Sequence, residues 1–208
     1  MKITRFVSFL IALTMVGMTA ACAGGTALVL LAGESSKLSG SAVEVLTVLV
    51  DDLRNDGVQM PMTLPASIIT ADVSQNAIGL SAENFDKYVV SASDSLAAIG
   101  TSAHQIVLIE AKDASSAEQI KKLLASDGGY DVHKWICVLP EKAVVVESEN
   151  YVMLAASYSQ VVDVAIDCFK AAAGEIGDVD VLFESANEQV EGGGLVAPGG
   201  AVPLPIGG

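Results

Sequence analysis

Basic residues are scarce in this chain: 11 Lys and Arg stand against 25 Asp and Glu in 208 residues, a formal net charge of -14. That balance argues against nucleic acid as a partner, because phosphate backbones are bound through Lys and Arg with release of counterions. Anionic lipid headgroups are repelled for the same reason. Histidine occurs only at His104 and His133, so acid–base and metal chemistry have few groups to draw on. The three cysteines, Cys22, Cys137 and Cys168, form no CxxC and no Cys/His spacing of a zinc site. No sequence repeat is present. No charge of either sign lies between Arg5 and Glu34, and that gap is the most informative absence.

Lys2 and Arg5 precede the uncharged, mostly apolar run from Phe6 to Ala21, which reaches Cys22 through Thr19-Ala20-Ala21. A basic start, an apolar stretch and small residues before a cysteine are the parts of a bacterial lipoprotein export signal, with Cys22 as the lipidation site. Thr19 stands where such signals usually carry a branched aliphatic residue. Ala21-Cys22-Ala23 also reads as an ordinary small-x-small cleavage site. A third reading is an uncleaved membrane helix, since the uncharged span exceeds the ~20 residues needed to cross a bilayer, although Gly24 and Gly25 interrupt it. In the lipidated and the membrane-helix readings the positive charges stay inside and the rest of the chain faces out. Lipid on Cys22 holds a protein only if both glycerol acyl chains insert. Removal of the leader takes Lys2 and Arg5 and no acidic residue, so the charge of the remainder falls from -14 to -16.

The remaining length suits one domain. Residues 1–22 are expected to be the signal, 23–40 a tether, 41–174 a single domain, and 175–208 an acidic, then Gly/Pro-rich, flexible tail. Ser41-Ala42-Val43-Glu44 fits a capping box opening a helix with Val43, Leu46, Val50 and Leu53 on one stripe, stopped at Asn55-Asp56-Gly57. Pro61 and Pro65 make residues 58–80 a connecting loop with at most one short turn. Lys87 to Ser91 reads as a strand followed by a Ser93-Asp94-Ser95 turn. Gln105 to Ala111 is a nearly continuous apolar run, as expected of a strand covered on both faces. Ser115-Ser116-Ala117-Glu118 is a second capping box, with Ala117, Ile120, Leu123 and Leu124 buried and Lys121 and Lys122 facing water. Ala143–Val146 and Tyr151–Ala156 form a hairpin. A third helix opens at Ser157 or Ser159, with Val161, Val164, Ala165 and Cys168 sharing a face, and Asp180 to Phe183 offers a further strand. The order α-β-β-α-β-β-α predicts an α+β domain of two layers, a mainly antiparallel sheet with helices packed on one face.

The strings Glu110-Ala111-Lys112-Asp113-Ala114, Pro140-Glu141-Lys142-Ala143-Val144-Val145-Val146 and Asn150-Tyr151-Val152 resemble the DUF4358 domain, an uncharacterised lipoprotein family found mainly in Gram-positive Clostridia and relatives. The likeness runs over roughly residues 40–173. It implies an address and a fold without a mechanism. Where acidic residues are expected before the central strand, this chain has His104-Gln105.

Gly100-Thr101-Ser102-Ala103-His104 places a serine near a base, but a nucleophile elbow needs Gly after the serine and a helix next, whereas His and a strand follow here. His133 lies near Asp127 and Asp131, in a spacing that lacks the glycine and terminal glutamate of a calcium loop. Asp178-Val179-Asp180 is a weaker pattern still. Tyr130, His133 and Trp135 make up the candidate binding loop: exposed aromatics beside flexible glycines stack on sugars or anchor peptides, and the alternative is a lid over the end of the core. Export permits a Cys137–Cys168 disulfide. No cofactor and no metal is expected. The reading that results is a cell-surface lipoprotein outside the membrane, a non-enzymatic module for an envelope protein or cell-wall component. A small-ligand-binding lipoprotein is the alternative, and a hydrolase comes third.

Overall fold

The computed structural model describes residues 38–185 apart from 136. The leader, Cys22, most of the tether and the Gly/Pro-rich end lie outside the described residues, as does the alternative of an N-terminal membrane helix. The helices are α1 (Ala42–Asn55), α2 (Ala71–Ile78), α3 (Ala82–Tyr88), α4 (Ala114–Ala125) and α5 (Ser159–Ala173). The strands are β1 (Ser67–Ile68), β2 (Val89–Leu96), β3 (Gln105–Ala111), β4 (Lys142–Ser148), β5 (Tyr151–Ser157) and β6 (Asp180–Glu184). They form one six-stranded sheet in the order β1-β2-β3-β5-β4-β6, antiparallel at every pairing. The α+β class and antiparallel sheet are as expected.

The number of layers is not. Along β3 the side chains alternate between two cores: Val107 and Ile109 meet Ile120 and Leu124 of α4 together with Ile78 and Leu80, while Ile106 and Leu108 meet Leu46 and Leu49 of α1 and Phe169 of α5. β5 and β4 divide in the same way, Leu154 and Val145 on the first side, Met153 and Val144 on the second. Helices therefore cover both faces, in three layers rather than two. An antiparallel sheet commonly leaves one face to water, but continuous apolar strands such as Val144-Val145-Val146 have no polar face to offer it.

Residues 58–88, expected to be loop and strand, add to the layer that α4 forms. Ser67 and Ile68 pair with Ser93 and Asp94 as edge strand β1, and α2 and α3 follow. Each helix is short. α2 fully buries only Ser74 and Ile78 and α3 buries no residue fully, so neither shows a helical stripe. Ser93-Asp94-Ser95 is interior strand instead of a turn, and its polar side chains are satisfied by β1: Ser93 Oγ donates to the Ser67 carbonyl at 2.8 Å and Ser67 Oγ to Asp94 at 2.7 Å.

The first capping box forms. Ser41 N donates to Glu44 Oε2 at 2.9 Å, and Ser41 Oγ donates to the same carboxylate at 2.7 Å. These bonds, the hydroxyl's first, hold the Glu44 carboxyl below its usual range. The second box is replaced. α4 opens at Asp113, whose carboxylate accepts from Ser116 N at 2.7 Å, two residues before the expected serine cap, and the amide bond lowers its pKa. The β4–β5 hairpin forms with Ser148 opposite Tyr151. On α5, Val162 and Phe169 take the buried positions expected of Val164 and Cys168. The domain also runs past residue 174: β6 pairs with β4, and Leu182 and Phe183 pack on the α4-side core.

Lys121, expected in water, is 7% exposed. Its ammonium pairs with Glu147 of β4 at 2.6 Å, lies 3.8 Å from Asp180 of β6 and donates to the Asp178 carbonyl. One cation thereby ties α4 to both strands at that sheet edge. Removing one partner of a shielded pair leaves the other poorly solvated. Lys121→Ala is expected to lower unfolding free energy by about 2 kcal/mol in urea denaturation. Lys122→Ala, whose ammonium is 3.9 Å from the exposed Glu118 carboxylate, should stay within about 0.5 kcal/mol.

Candidate functional site

Two buried polar clusters occupy the end of the sheet where β3 begins and β5 ends, and neither is the site the sequence motifs named. Gln105, the first residue of β3, is 1% exposed. Its Nε2 donates to Asp94 Oδ2 at 2.8 Å, and its Oε1 accepts from Tyr130 OH at 3.0 Å and from Lys134 Nζ. Lys134 Nζ also donates to the Ala77 carbonyl at the end of α2, at 2.7 Å. A neutral amide thus separates a buried carboxylate from a half-buried ammonium and satisfies both. Burial pulls the Lys134 pKa down to about 8, while Asp94 and Asp131 oppose the shift. Burial, then the Asp94 and Asp131 charges, push the Tyr130 phenol well above its ordinary value.

The candidate binding loop consequently divides. Tyr130 is buried, its ring edge-on to Trp135 with centroids 6.4 Å apart, and Trp135 is half-buried against the α4-side core. Lys134 Nζ lies 4.6 Å from the Tyr130 ring centre and 5.1 Å from that of Trp135. This is the lid arrangement. Tyr130 is therefore corrected from an exposed ligand contact to a core residue. The loop is held by a close backbone approach: a Cβ on Gly79, at φ +79°, would lie 2.0 Å from the Gly129 carbonyl oxygen. His133 is the exposed member. Its amide donates to Asp131 Oδ1 at 2.8 Å and its Nδ1 lies 3.7 Å from the same oxygen, an Asx-type turn. Among the described residues no three His, Cys, Asp or Glu side chains converge in a metal-binding group. Cys137 and Cys168 are both free thiols, exposed and half-buried respectively, so the disulfide that export would permit is not formed. Cys168 packs beside the α1–α5 core, where burial raises its pKa.

His104 pairs with a serine other than Ser102. The β3–β5 register sets Gln105 opposite Ala156, so His104 meets Ser157, with Nδ1 2.8 Å from Oγ. That is the separation of a base and a nucleophile, and Ser157 sits between a strand and a helix. The chemistry stops there. Both residues are 0% exposed, and His104 Nε2 has no hydrogen-bond partner among the described residues, so no carboxylate orients the ring. Burial lowers the His104 pKa to about 4, leaving a neutral, weakly basic imidazole at neutral pH. Sequence reasoning missed Ser157 as a partner because pairing register alone brings these positions together.

Two open clefts are formed by described residues. One, of about 490 Å³, is lined by Glu118, Glu147, Glu149 and Glu175 among others, and its Glu147 is paired with Lys121. The second, of about 510 Å³, is lined by Gln59, Met60, Pro61, Glu141, Tyr158 and Gln160. Tyr158, the N-cap of α5, is 41% exposed.

The buried imidazole makes stability depend on pH. Unfolded His104 takes a proton near 6.5 and folded His104 only near 4, so its contribution is complete above pH 6.5 and is lost as pH falls through that window. Between pH 7.5 and 4 wild type should lose up to about 3 kcal/mol more than His104→Gln, read from urea midpoints of both proteins at each pH. Ser157→Ala strips the buried ring nitrogen of its partner, at an expected cost of about 1–3 kcal/mol at pH 7.5.

Comparison of the chain with protein-family models, with curated proteins and with solved structures returns no match to any of them.

Proposed function

We propose that this chain is a non-enzymatic binding module carried on the outer face of a bacterial cell membrane by lipid on Cys22, its α+β domain engaging an envelope protein or a cell-wall component. One observation carries the binding half of this reading. The titratable groups with the most altered environments, His104, Tyr130 and Lys134, are spent on internal contacts, whereas the Tyr158 cleft presents an aromatic ring, two amides and a carboxylate to solvent. Catalysis needs groups poised at an accessible surface. Binding needs a concave surface with a few directed polar groups. The leader and the resemblance to DUF4358 lipoproteins favour the outside address, and the acidic surface favours solubility over attachment to nucleic acid or anionic lipid.

A small-ligand-binding lipoprotein is the second reading, favoured by cleft volumes of about 490 and 510 Å³, within the size of small-molecule sites.

Growth of expressing cells with an alkyne-tagged palmitate should label wild type and leave Cys22→Ser unlabelled, the label remaining with the membrane fraction. Cross-linking on intact cells should then recover a specific envelope component with the labelled chain. Unlabelled, unprocessed chain in the cytosol would overturn the address, and substrate turnover that survives removal of all bound partners would overturn the binding-module assignment.

A further inference from the structure

We infer that the cleft around Tyr158 is a binding site for a neutral oligosaccharide, with the Tyr158 ring as its stacking platform. The inference rests on the binding-module reading and names the ligand chemistry and place.

The wall is built before any ligand arrives. Glu141, just ahead of β4, accepts from Ser159 N at 2.9 Å and so caps α5 from a neighbouring strand. Its own amide donates to the Ser157 carbonyl at 2.9 Å, and its carbonyl accepts from Ser185 N at 2.8 Å. The backbone on both sides of Tyr158 is thereby fixed, while the side chain stays exposed. Across the cleft Met60 packs against the α1–α5 core and Pro61 adds a second rigid apolar surface.

The polar groups select the ligand class. Gln59 and Gln160 are exposed, with side-chain amides that no other described residue engages, and each offers a donor and an acceptor. Glu141 keeps one carboxylate oxygen for an incoming hydroxyl, the other being held at Ser159. Alternating donors and acceptors suit a hydroxylated ring, whose C–H face covers an aromatic platform while its rim is hydrogen-bonded. Among the described residues no Lys or Arg lines the cleft, and the chain is strongly acidic, which disfavours phosphorylated or uronic sugars. A peptide fits less well. Strand addition needs a free edge, and none of the residues lining the cleft lies on the edge strands β1 and β6. A volume of about 510 Å³ lies within the range of small-molecule sites.

The test uses the full chain purified in a detergent without a sugar headgroup, since a maltoside would compete. Saturation-transfer NMR with chitotetraose, cellotetraose and mannotetraose should show transfer to ring protons of at least one, with saturable binding. Tyr158→Ala should weaken that binding about tenfold or more, and Tyr158→Phe should retain it, as the loss of a ring contact of roughly 1.4 kcal/mol requires. Unchanged thermal unfolding of Tyr158→Ala shows that the loss is local. Absence of transfer to all three sugars would overturn the ligand class, binding indifferent to Tyr158→Ala would overturn the site, and displacement of bound sugar only by a proline-rich peptide would assign the cleft to peptides. Each of these leaves the cross-linking result on intact cells unaffected, so the broader reading stands or falls separately.

Discussion

The domain depends on burial of its central strands from both sides. β3, β4 and β5 have no solvated face, so every polar side chain along them must find a partner inside the protein or at the sheet's end. At the ends of these strands the requirement is met, save at His104 Nε2, by three separate devices. Gln105 bridges Asp94 to Tyr130 and Lys134, His104 takes Ser157, and Glu147 takes Lys121. These are the groups a reader would select as catalytic candidates on residue type. Their geometry assigns them to stability, because each bond that satisfies a buried group also occupies it.

The same constraint explains which parts of the fold were legible in the sequence. The long apolar runs of β3 and β4–β5 and the amphipathic faces of α1 and α4 are strong signals, since burial there is decided by periodicity. α2 and α3 gave little signal because together they fully bury only Ser74 and Ile78. Without them α4 was the visible cover of that face, although the pattern of Gln105 to Ala111 already required both faces to be covered. Ser93-Asp94-Ser95 has the composition of a turn, and only the arrival of β1 at that edge turns those polar groups inward. Lys121 stands next to Ile120 on the buried stripe, so periodicity alone cannot separate a solvated lysine from one reaching a distant carboxylate.

The candidate loop illustrates a different limit. Tyr130 and Trp135 were legible as a pair of aromatics beside flexible glycines, and both roles, ligand contact and lid, were compatible with that text. What decides between them is the backbone contact of Gly79 with Gly129 and the hydrogen bond from Tyr130 to Gln105. Both are long-range. By contrast Tyr158 attracted no attention, lying between two serines at the start of a helix. Its exposure follows from α5 being capped by Glu141 from outside the helix, which frees the N-cap residue from the usual duty of a capping side chain.

That borrowed cap also bears on affinity. A surface aromatic on a mobile loop must be ordered when it binds, and the ordering cost is subtracted from the contact energy. Tyr158 sits on backbone already fixed by the β5 ladder, by the first turn of α5 and by the Glu141 carboxylate, so little beyond its own rotamer remains to be ordered. Gln59 and Gln160 are exposed and longer, and each loses more freedom on engagement. On the proposed reading the ring is therefore the element of this cleft that would retain contact energy most fully, with the amides contributing direction more than strength.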